Sequence, residues 1–140
     1  MFVNPEDRLS HSIIGCAIEA HKVLGGSGLL ESVYEEAFSW ELEQNGLHVQ
    51  RQTCVPIIYK GITLATPLRV DLLVENLVII ECKSSIQIST QTLNGFKSQL
   101  LTYLRLTNLH LGLLINFGEA CLKDGIHRVV NKLTDGNSFS

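Results

Sequence analysis

The stretch RVDLLVENLVIIECK, residues 69–83, decides the fold predicted for this chain. Two apolar runs, Leu68–Val74 and Leu77–Cys82, are separated by Glu75-Asn76, and this pattern is typical of a β-hairpin. Apolar residues are nearly continuous in both runs, so we expect both faces of the hairpin to be buried. A hairpin of this kind belongs in the centre of a sheet.

Three charged residues interrupt this apolar hairpin. Asp71 lies inside the first run, whereas Glu81 and Lys83 end the second and, two residues apart on one strand, point to the same side. Such groups are costly to bury unless they are paired or functional. One interpretation is a structural ion pair of Lys83 with Asp71 or Glu81. The other is a site in which Asp71 and Glu81 hold a divalent cation and Lys83 positions or activates the attacking water.

The metal interpretation requires a particular loop between the two strands. A two-residue turn at Glu75-Asn76 would place Asp71 opposite Ile80, on the other face from Glu81, because a slip of one residue flips every side chain. The metal site therefore needs a three-residue loop or a bulge that pairs Asp71 with Glu81. Asn76 suits such a loop because asparagine tolerates the left-handed conformation.

Helical and strand patterns surround the hairpin on both sides. The predicted elements are a helix over 8–24, a helix over 30–45, strand-forming residues over 47–59, a loop over 84–95, a helix over 95–106, and strands over 111–117 and 126–130. This order predicts an α/β (α+β) fold with a central mixed sheet flanked by helices.

The gross composition bounds the number of domains and the class of partner. The chain has 140 residues, of which 45% are hydrophobic, and we expect one domain over 1–140 with a frayed tail over 131–140. The formal net charge is −3. Any contact with nucleic acid must therefore come from a local patch of positive charge.

The cysteines and the apolar runs bear on location. The four cysteines lie far apart in the sequence, and we expect buried, reduced thiols, which fit the cytoplasm. The first residues lack the pattern of a signal peptide, and no apolar run approaches the ~20 residues that span a membrane. We therefore expect a cytoplasmic protein with no membrane segment.

The order Asp, hairpin, Glu-x-Lys resembles the active-site signature of the PD-(D/E)xK nuclease superfamily. Residues 28–34, GLLESVY, match the GxxExxY motif that names a bacterial family within it. Four further stretches extend the resemblance over about residues 5–131: IGCAIEAHKVLG, YKG, QLLTYLRLTN and GLLINFG. The resemblance implies a restriction-endonuclease-like core and hydrolysis of phosphodiester bonds in nucleic acid, with DNA the expected substrate and Mg²⁺ or Mn²⁺ the cofactor.

The same resemblance extends the predicted metal site to the second helix. Glu31 matches an acidic residue supplied by a helix before the core sheet, so the implied metal ligands are Glu31, Asp71 and Glu81. The alternative for Glu31 is a first-turn glutamate that the helix dipole favours.

The other residues of the GxxExxY motif, and the two glutamates that follow it, are expected to have structural roles or to face solvent. Gly28 and Tyr34 are expected to support the motif, Tyr34 by packing in the core with its hydroxyl near the site. Glu35 and Glu36 are expected to be solvated.

The third helix contributes a QxxxY pair. Gln99 and Tyr103 lie on one helical face, and the resemblance implies that Gln99 orients a ligand, water or phosphate while Tyr103 supports it. Otherwise Gln99 simply lines the polar face of the helix. Phe96 stands where the family often has a histidine, and the connection 84–95 is longer than usual. The implied catalytic residues are Asp71, Glu81, Lys83, Gln99 and Tyr103.

The sequence also indicates candidate contacts with phosphate and two alternative functions. Arg69, Lys97 and Arg105 are candidate phosphate contacts. One alternative is a catalytically silent nuclease-fold module that binds nucleic acid or protein, since fold does not imply function. The other is a structural protein that forms a homodimer through its apolar helices, with Glu81 and Lys83 as a buried pair.

Overall fold

Two helices form the first layer of the structure, a computed structural model that describes residues 4–133. Helix α1 spans Pro5–Val23 and helix α2 spans Glu31–Gln44. The side chain of Asn4 caps α1 by accepting a hydrogen bond from the amide of Asp7 at 2.8 Å. Proline suits the first helical position because the N–H that it lacks would have no partner inside the helix.

The central layer is a five-stranded mixed sheet, and a small hairpin stands apart from it. The strands are β1 (Val49–Val55), β2 (Ile58–Tyr59), β3 (Ile62–Thr63), β4 (Leu68–Val74), β5 (Val78–Lys83), β6 (Leu111–Asn116) and β7 (Ile126–Val130). The sheet order is β1-β4-β5-β6-β7, whereas β2 and β3 pair only with each other. All neighbours are antiparallel except β5 and β6, which are parallel. The predicted mixed sheet is confirmed.

The β4–β5 hairpin has the loop that the metal interpretation requires. Leu72 pairs with Ile80 and Val74 with Val78, so the loop contains the three residues 75–77. Glu75 and Asn76 both adopt positive φ angles, 54° and 55°. Continued by one residue, this register sets Asp71 opposite Glu81, and the prediction of a three-residue loop is confirmed.

Helices cover both faces of the sheet. Alternate residues of β5 and β6 point to opposite sides, as the pleat of a strand requires. On one side, Ile80 and Leu113 pack with residues of α1 and α2, including Ile13 and Phe38. Residues of the other core, between the sheet and the third helix, are Val70, Leu73, Ile79, Leu100, Leu104 and Leu114.

The third helix, α3, spans Thr90–Thr107 and is longer than predicted. Ser89 caps it, because its hydroxyl accepts a hydrogen bond from the amide of Thr92 at 3.1 Å. The connection from β5 therefore covers only residues 84–89, and the predicted loop over 84–95 is wrong in its second half. The first turn is polar except for Leu93, which continues the apolar stripe of Phe96 and Leu100, so Leu93 and the Ser89 cap were the available signals.

The C-terminal segment and the cysteines differ in part from expectation. Asn131 is buried, and its side-chain amide donates to the carbonyl of Leu109 at 3.0 Å, so residue 131 belongs to the folded domain. Residues 134–140 of the expected tail lie outside the described residues. All four cysteines are free, but Cys54 and Cys121 are exposed, so the expectation of burial is wrong for these two. Within residues 4–133, no helix is long and apolar enough to cross a membrane.

Candidate active site

The carboxylates of Asp71 and Glu81 meet where the ladder between β4 and β5 ends. The amide of Asp71 donates to Glu81 Oε2 at 2.8 Å, and the amide of Cys82 donates to Asp71 Oδ2 at 2.9 Å. Each carboxylate is thus held by a backbone N–H of the opposite strand. The hairpin register brings the two acidic groups together and fixes one oxygen of each.

The pKa of Glu81 is well above the ordinary value for a glutamate. Its side chain is buried, and burial is the main cause that raises its pKa to about 7. The hydrogen bond from the Asp71 amide and the charge of Lys83 lower the pKa, whereas the charges of Asp71 and Glu31 raise it. The main effect on Glu81 is therefore the loss of water around its carboxyl, to which the neighbouring charges add smaller, opposing shifts.

Lys83 makes no ion pair with any carboxylate among residues 4–133, where the ion pairs are Arg51–Glu35 and Arg128–Asp7. Its ammonium nitrogen instead lies 4.3 Å from the centroid of the Phe96 ring, which is a cation–π arrangement. The interpretation of Lys83 as half of a structural ion pair is therefore wrong. Phe96, at the position where the family often has a histidine, contacts the lysine of the site.

Glu31 faces the same group of charges from the start of α2. Burial is the main cause that raises its pKa; the charge of Lys83 opposes that shift, and the charges of Asp71 and Glu35 add to it. These couplings place Glu31 within electrostatic reach of both Asp71 and Lys83. The first turn of α2 thus brings a third carboxylate to the hairpin.

Tyr34 holds the loop that precedes Glu31. Its ring is buried and stacks on Phe117 with 5.0 Å between the centroids, so the predicted core packing is confirmed. Its hydroxyl donates to the Gly26 carbonyl at 2.6 Å and accepts from the Leu29 amide at 3.1 Å. Gly28 in this loop has a φ of +112°, which side chains rarely allow. The hydroxyl therefore fixes the approach to Glu31, and no described hydrogen bond joins it to a carboxylate.

Sequence reasoning missed two members of the site, Glu35 and Gln52. Glu35 was expected to be solvated, but it is buried and forms an ion pair with Arg51 at 3.2 Å. The side-chain amide of Gln52 donates to Glu35 Oε1 at 2.8 Å and to Asp71 Oδ1 at 3.2 Å. The spacing of Glu35, one helical turn after Glu31, was a usable signal. For Gln52 the sequence offers none, because its position depends on a local interruption of the ladder between β1 and β4.

Helix α3 lines the opposite side of the site. Tyr103 is half-buried, and its pKa is raised by burial first and then by the charges of Glu81 and Asp71. Gln99 is exposed and lies between Phe96 and Tyr103 along the same helical face. Within the described part of the chain, it makes no hydrogen bond with the carboxylates.

The three candidate phosphate contacts are dispersed. Arg69 adjoins the site, since its Nε donates to Gln52 Oε1 at 3.2 Å. Lys97 lies near His127 on β7, where its charge contributes to lowering the pKa of the histidine. Arg105 is in the last turn of α3, which leads towards the start of β6 and away from the end of β5 that carries Lys83. Arg69 is the one of the three that the described contacts connect with Asp71.

The donor set fits a hard divalent cation in its chemistry. Carboxylate oxygens are the protein ligands that Mg²⁺ and Mn²⁺ prefer. Glu81 Oε1 and the Glu31 carboxylate accept no hydrogen bond from residues 4–133. No group of three His, Cys, Asp or Glu side chains in that range is already arranged to hold a metal ion. The ligands are therefore close to one another but are not preassembled.

Comparison with known proteins places the chain in a family and identifies a related fold. A family model described as the PD-(D/E)XK nuclease superfamily matches residues 7–129. The crystal structure of SSO0001 superposes with a TM-score of 0.53 at 20% sequence identity, over 74% of this chain and 50% of that one, which shows a shared fold. This chain thus spans about half the length of SSO0001. Among curated proteins, none matches the sequence.

Proposed function

The chain belongs to the PD-(D/E)XK nuclease superfamily, and from this premise we propose that it is a divalent-metal-dependent nuclease that hydrolyses phosphodiester bonds, with DNA as the expected substrate. The observation that carries the proposal is the pairing of Asp71 with Glu81 beside a lysine that has no ion-pair partner among the described residues. A purely structural cluster would be expected to use its lysine as a counter-charge. We also propose membership of the GxxExxY family, which the motif residues Gly28, Glu31 and Tyr34 support.

The proposed roles come from the resemblance to the superfamily, and the contacts of Asp71, Glu81 and Lys83 support them. Glu31, Asp71 and Glu81 would hold Mg²⁺ or Mn²⁺. When bound, such an ion polarises a phosphoryl oxygen and lowers the pKa of a coordinated water. Lys83 places a positive charge beside the phosphate and stabilises the negative charge that develops there. Gln99 would orient water or phosphate, and Tyr103 would support the carboxylates that it adjoins electrostatically.

A catalytically silent nucleic-acid-binding module is the second candidate function. Two observations favour it: the absence of a preassembled group of three metal ligands within residues 4–133, and the net charge of −3. This candidate predicts that the chain binds nucleic acid but neither binds Mn²⁺ tightly nor cleaves. We propose in either case one domain over 1–140, located in the cytoplasm as its free cysteines suggest.

A cleavage panel with matched variants tests the proposal. Single- and double-stranded DNA and RNA are incubated at low salt with Mg²⁺, Mn²⁺ or EDTA, using wild type, Lys83→Ala, Asp71→Asn and Lys132→Ala. Asparagine keeps an oxygen that can accept from Cys82 and so preserves the hairpin. Lys132 is exposed and lies after β7, at the end of the sheet opposite Lys83, so it serves as the control.

The expected result is cleavage that requires the metal, that Lys83→Ala and Asp71→Asn abolish, and that Lys132→Ala retains. Cleavage in EDTA, or cleavage that survives both site substitutions, would contradict the proposed site. No cleavage by any form, together with nucleic-acid binding and no heat of Mn²⁺ binding, would favour the silent module.

A further inference from the structure

The backbone of Gln52 adopts a conformation that is uncommon for residues other than glycine. Its φ is 46°, in the left-handed region. Residues on either side, Arg51 and Thr53, pair with Leu72 and Val70 of β4, but Gln52 is left out of the register opposite Asp71. Residues other than glycine are rarely held in this region, and such strain persists only where the surroundings determine it.

The side chain of Gln52 joins three charged groups at this unpaired position. Its NH₂ group donates to Glu35 Oε1 at 2.8 Å and to Asp71 Oδ1 at 3.2 Å, and its carbonyl oxygen accepts from Arg69 Nε at 3.2 Å. The amide can take no other orientation without directing its oxygen at two carboxylates and its nitrogen at a guanidinium. Glutamine is therefore the residue type that this junction requires.

The far end of the junction is anchored on α2. Glu35 is buried, and its second oxygen forms the ion pair with Arg51. Glu35 follows Glu31 by one helical turn on the same face of α2. A fixed distance between Glu35 and Asp71 therefore also sets how Glu31 approaches Asp71.

Asp71 is held on both of its oxygens as a result. Oδ2 accepts from the Cys82 amide of β5 and Oδ1 accepts from Gln52 of β1. Partners that orient a ligating carboxylate typically change metal affinity by about 10- to 100-fold when they are removed.

We propose that Gln52 is a positioning residue, which holds the Asp71 carboxylate and ties helix α2 to the sheet so that Glu31, Asp71 and Glu81 can share one divalent cation. The interruption of the β1–β4 ladder at Gln52, with its left-handed backbone, directs the side chain to this point, and three hydrogen bonds hold it there. This inference rests on the proposed nuclease function, since it assigns a role toward the metal of that site.

A pair of glycine substitutions separates positioning from folding. Gln52→Gly removes the bridge and also relieves the positive φ, so we expect an unchanged or higher melting temperature without metal and a Mn²⁺ affinity about tenfold weaker. The matched control is Gln50→Gly, a glutamine of the same strand that pairs regularly with Leu73. There glycine should lower the melting temperature and leave the Mn²⁺ affinity unchanged.

The measurements are calorimetric titration with Mn²⁺ alone and thermal unfolding in EDTA, with Gln52→Asn as a second variant. Asparagine tolerates the left-handed backbone but is one methylene shorter, so we expect it to resemble Gln52→Gly in affinity. Wild-type affinity in both Gln52 variants would overturn the inference while leaving the nuclease proposal intact. Parallel losses of stability and affinity in both Gln50→Gly and Gln52→Gly would assign Gln52 a structural role only. Absence of Mn²⁺ binding by wild type would overturn the proposed metal site and this inference together.

Discussion

Lys83 is the residue at which a structural and a catalytic interpretation make opposite predictions. An ammonium group that neutralised a buried carboxylate would be expensive to remove, at about 3–5 kcal/mol. Lys83 lies instead against the ring of Phe96 and reaches Glu81 and Glu31 only through longer-range attraction. Its charge is therefore available to a phosphate group.

We predict that Lys83→Met abolishes cleavage while changing the free energy of unfolding by no more than about 1 kcal/mol, the usual worth of an exposed cation–π contact. Methionine keeps an apolar side chain against Phe96 and removes the charge. Cleavage rates and urea unfolding of the same preparation test this, with Lys132→Met as the control. A loss of stability above about 3 kcal/mol would instead support the interpretation of Lys83 as half of a buried ion pair.

Glu81 predicts a pH dependence of stability that runs opposite to that of most carboxylates. The folded protein raises its pKa from the ordinary 4.5 to about 7, so between these values the folded state binds more protons than the unfolded state. Stability from this group is therefore greatest at low pH and is lost as the pH rises to about 7. A shift of this size corresponds to at most about 3 kcal/mol.

The test compares wild type with Glu81→Gln by urea unfolding in EDTA from pH 5 to pH 8. We expect the variant to be the more stable protein at pH 8 and to lose that advantage as the pH falls to 5, because Glu81 then becomes neutral among Asp71, Glu31 and Lys83. A stability difference that stays constant across this range would contradict the assigned burial of an ionisable Glu81.

Residues of the site differ in how far the sequence could reveal them. Asp71, Glu81 and Lys83 stand out because they are charged within apolar strands, and their spacing already requires the three-residue loop that is observed. Gln52 has no such signal. Its importance arises from an interruption of the β1–β4 ladder, which depends on how the two strands meet in three dimensions rather than on either strand's own composition.

At the scale of elements, the start of helix α2 decides where Glu31 lies. Leu30, the residue before the helix, offers no side-chain cap, so the backbone of the preceding loop needs other partners. The Tyr34 hydroxyl supplies them for Gly26 and Leu29. The tyrosine of the GxxExxY motif therefore positions the glutamate through the loop.

Tyr34→Phe should retain the stacking on Phe117 and lose both of these hydrogen bonds. We expect the protein to lose about 1–2 kcal/mol of unfolding free energy, the usual range for a buried hydrogen bond. The amide of Leu29 should exchange faster with solvent, which hydrogen exchange can follow directly. Tyr59→Phe is the matched control, because Tyr59 on β2 is exposed. Unchanged protection of the Leu29 amide in Tyr34→Phe would show that the hydroxyl does not hold the loop.

Elements with strong apolar patterns were predictable, and those that depend on capping or on tertiary contacts were less so. The β4–β5 hairpin and β6 were located because their residues are nearly all apolar. The start of α3 was placed five residues late, because four of the residues 90–94 are polar and only Leu93 and the Ser89 cap mark the helix start. The 3₁₀ turn at Leu122–Gly125 is a local detail of the same kind.

At the scale of the whole molecule, charge limits how nucleic acid can bind. The formal net charge is −3, so attraction must come from cations near the end of β5. Arg69 lies in β4, beside the end of β5 that carries Lys83. The β2–β3 hairpin connects Val55 to Leu68 at this same end of the sheet, and Lys60 lies at its turn. Lys60, Arg69 and Lys83 are therefore the candidate cations at the end of the sheet where the carboxylates of Asp71 and Glu81 lie.

We predict that DNA affinity in the presence of Mg²⁺ falls with salt less steeply than for proteins with extended basic surfaces. Three phosphate contacts, by Lys60, Arg69 and Lys83, correspond to a slope of about −3 in log affinity against log salt for duplex DNA. Fluorescence anisotropy with labelled DNA, checked by gel for cleavage, measures this slope. Arg69→Ala should reduce its magnitude by about one, whereas Lys132→Ala, at the opposite end of the sheet, should leave it unchanged. A slope that Arg69→Ala does not alter would place the DNA on another surface, because the net negative charge of the chain supplies no general attraction that could replace the lost contact.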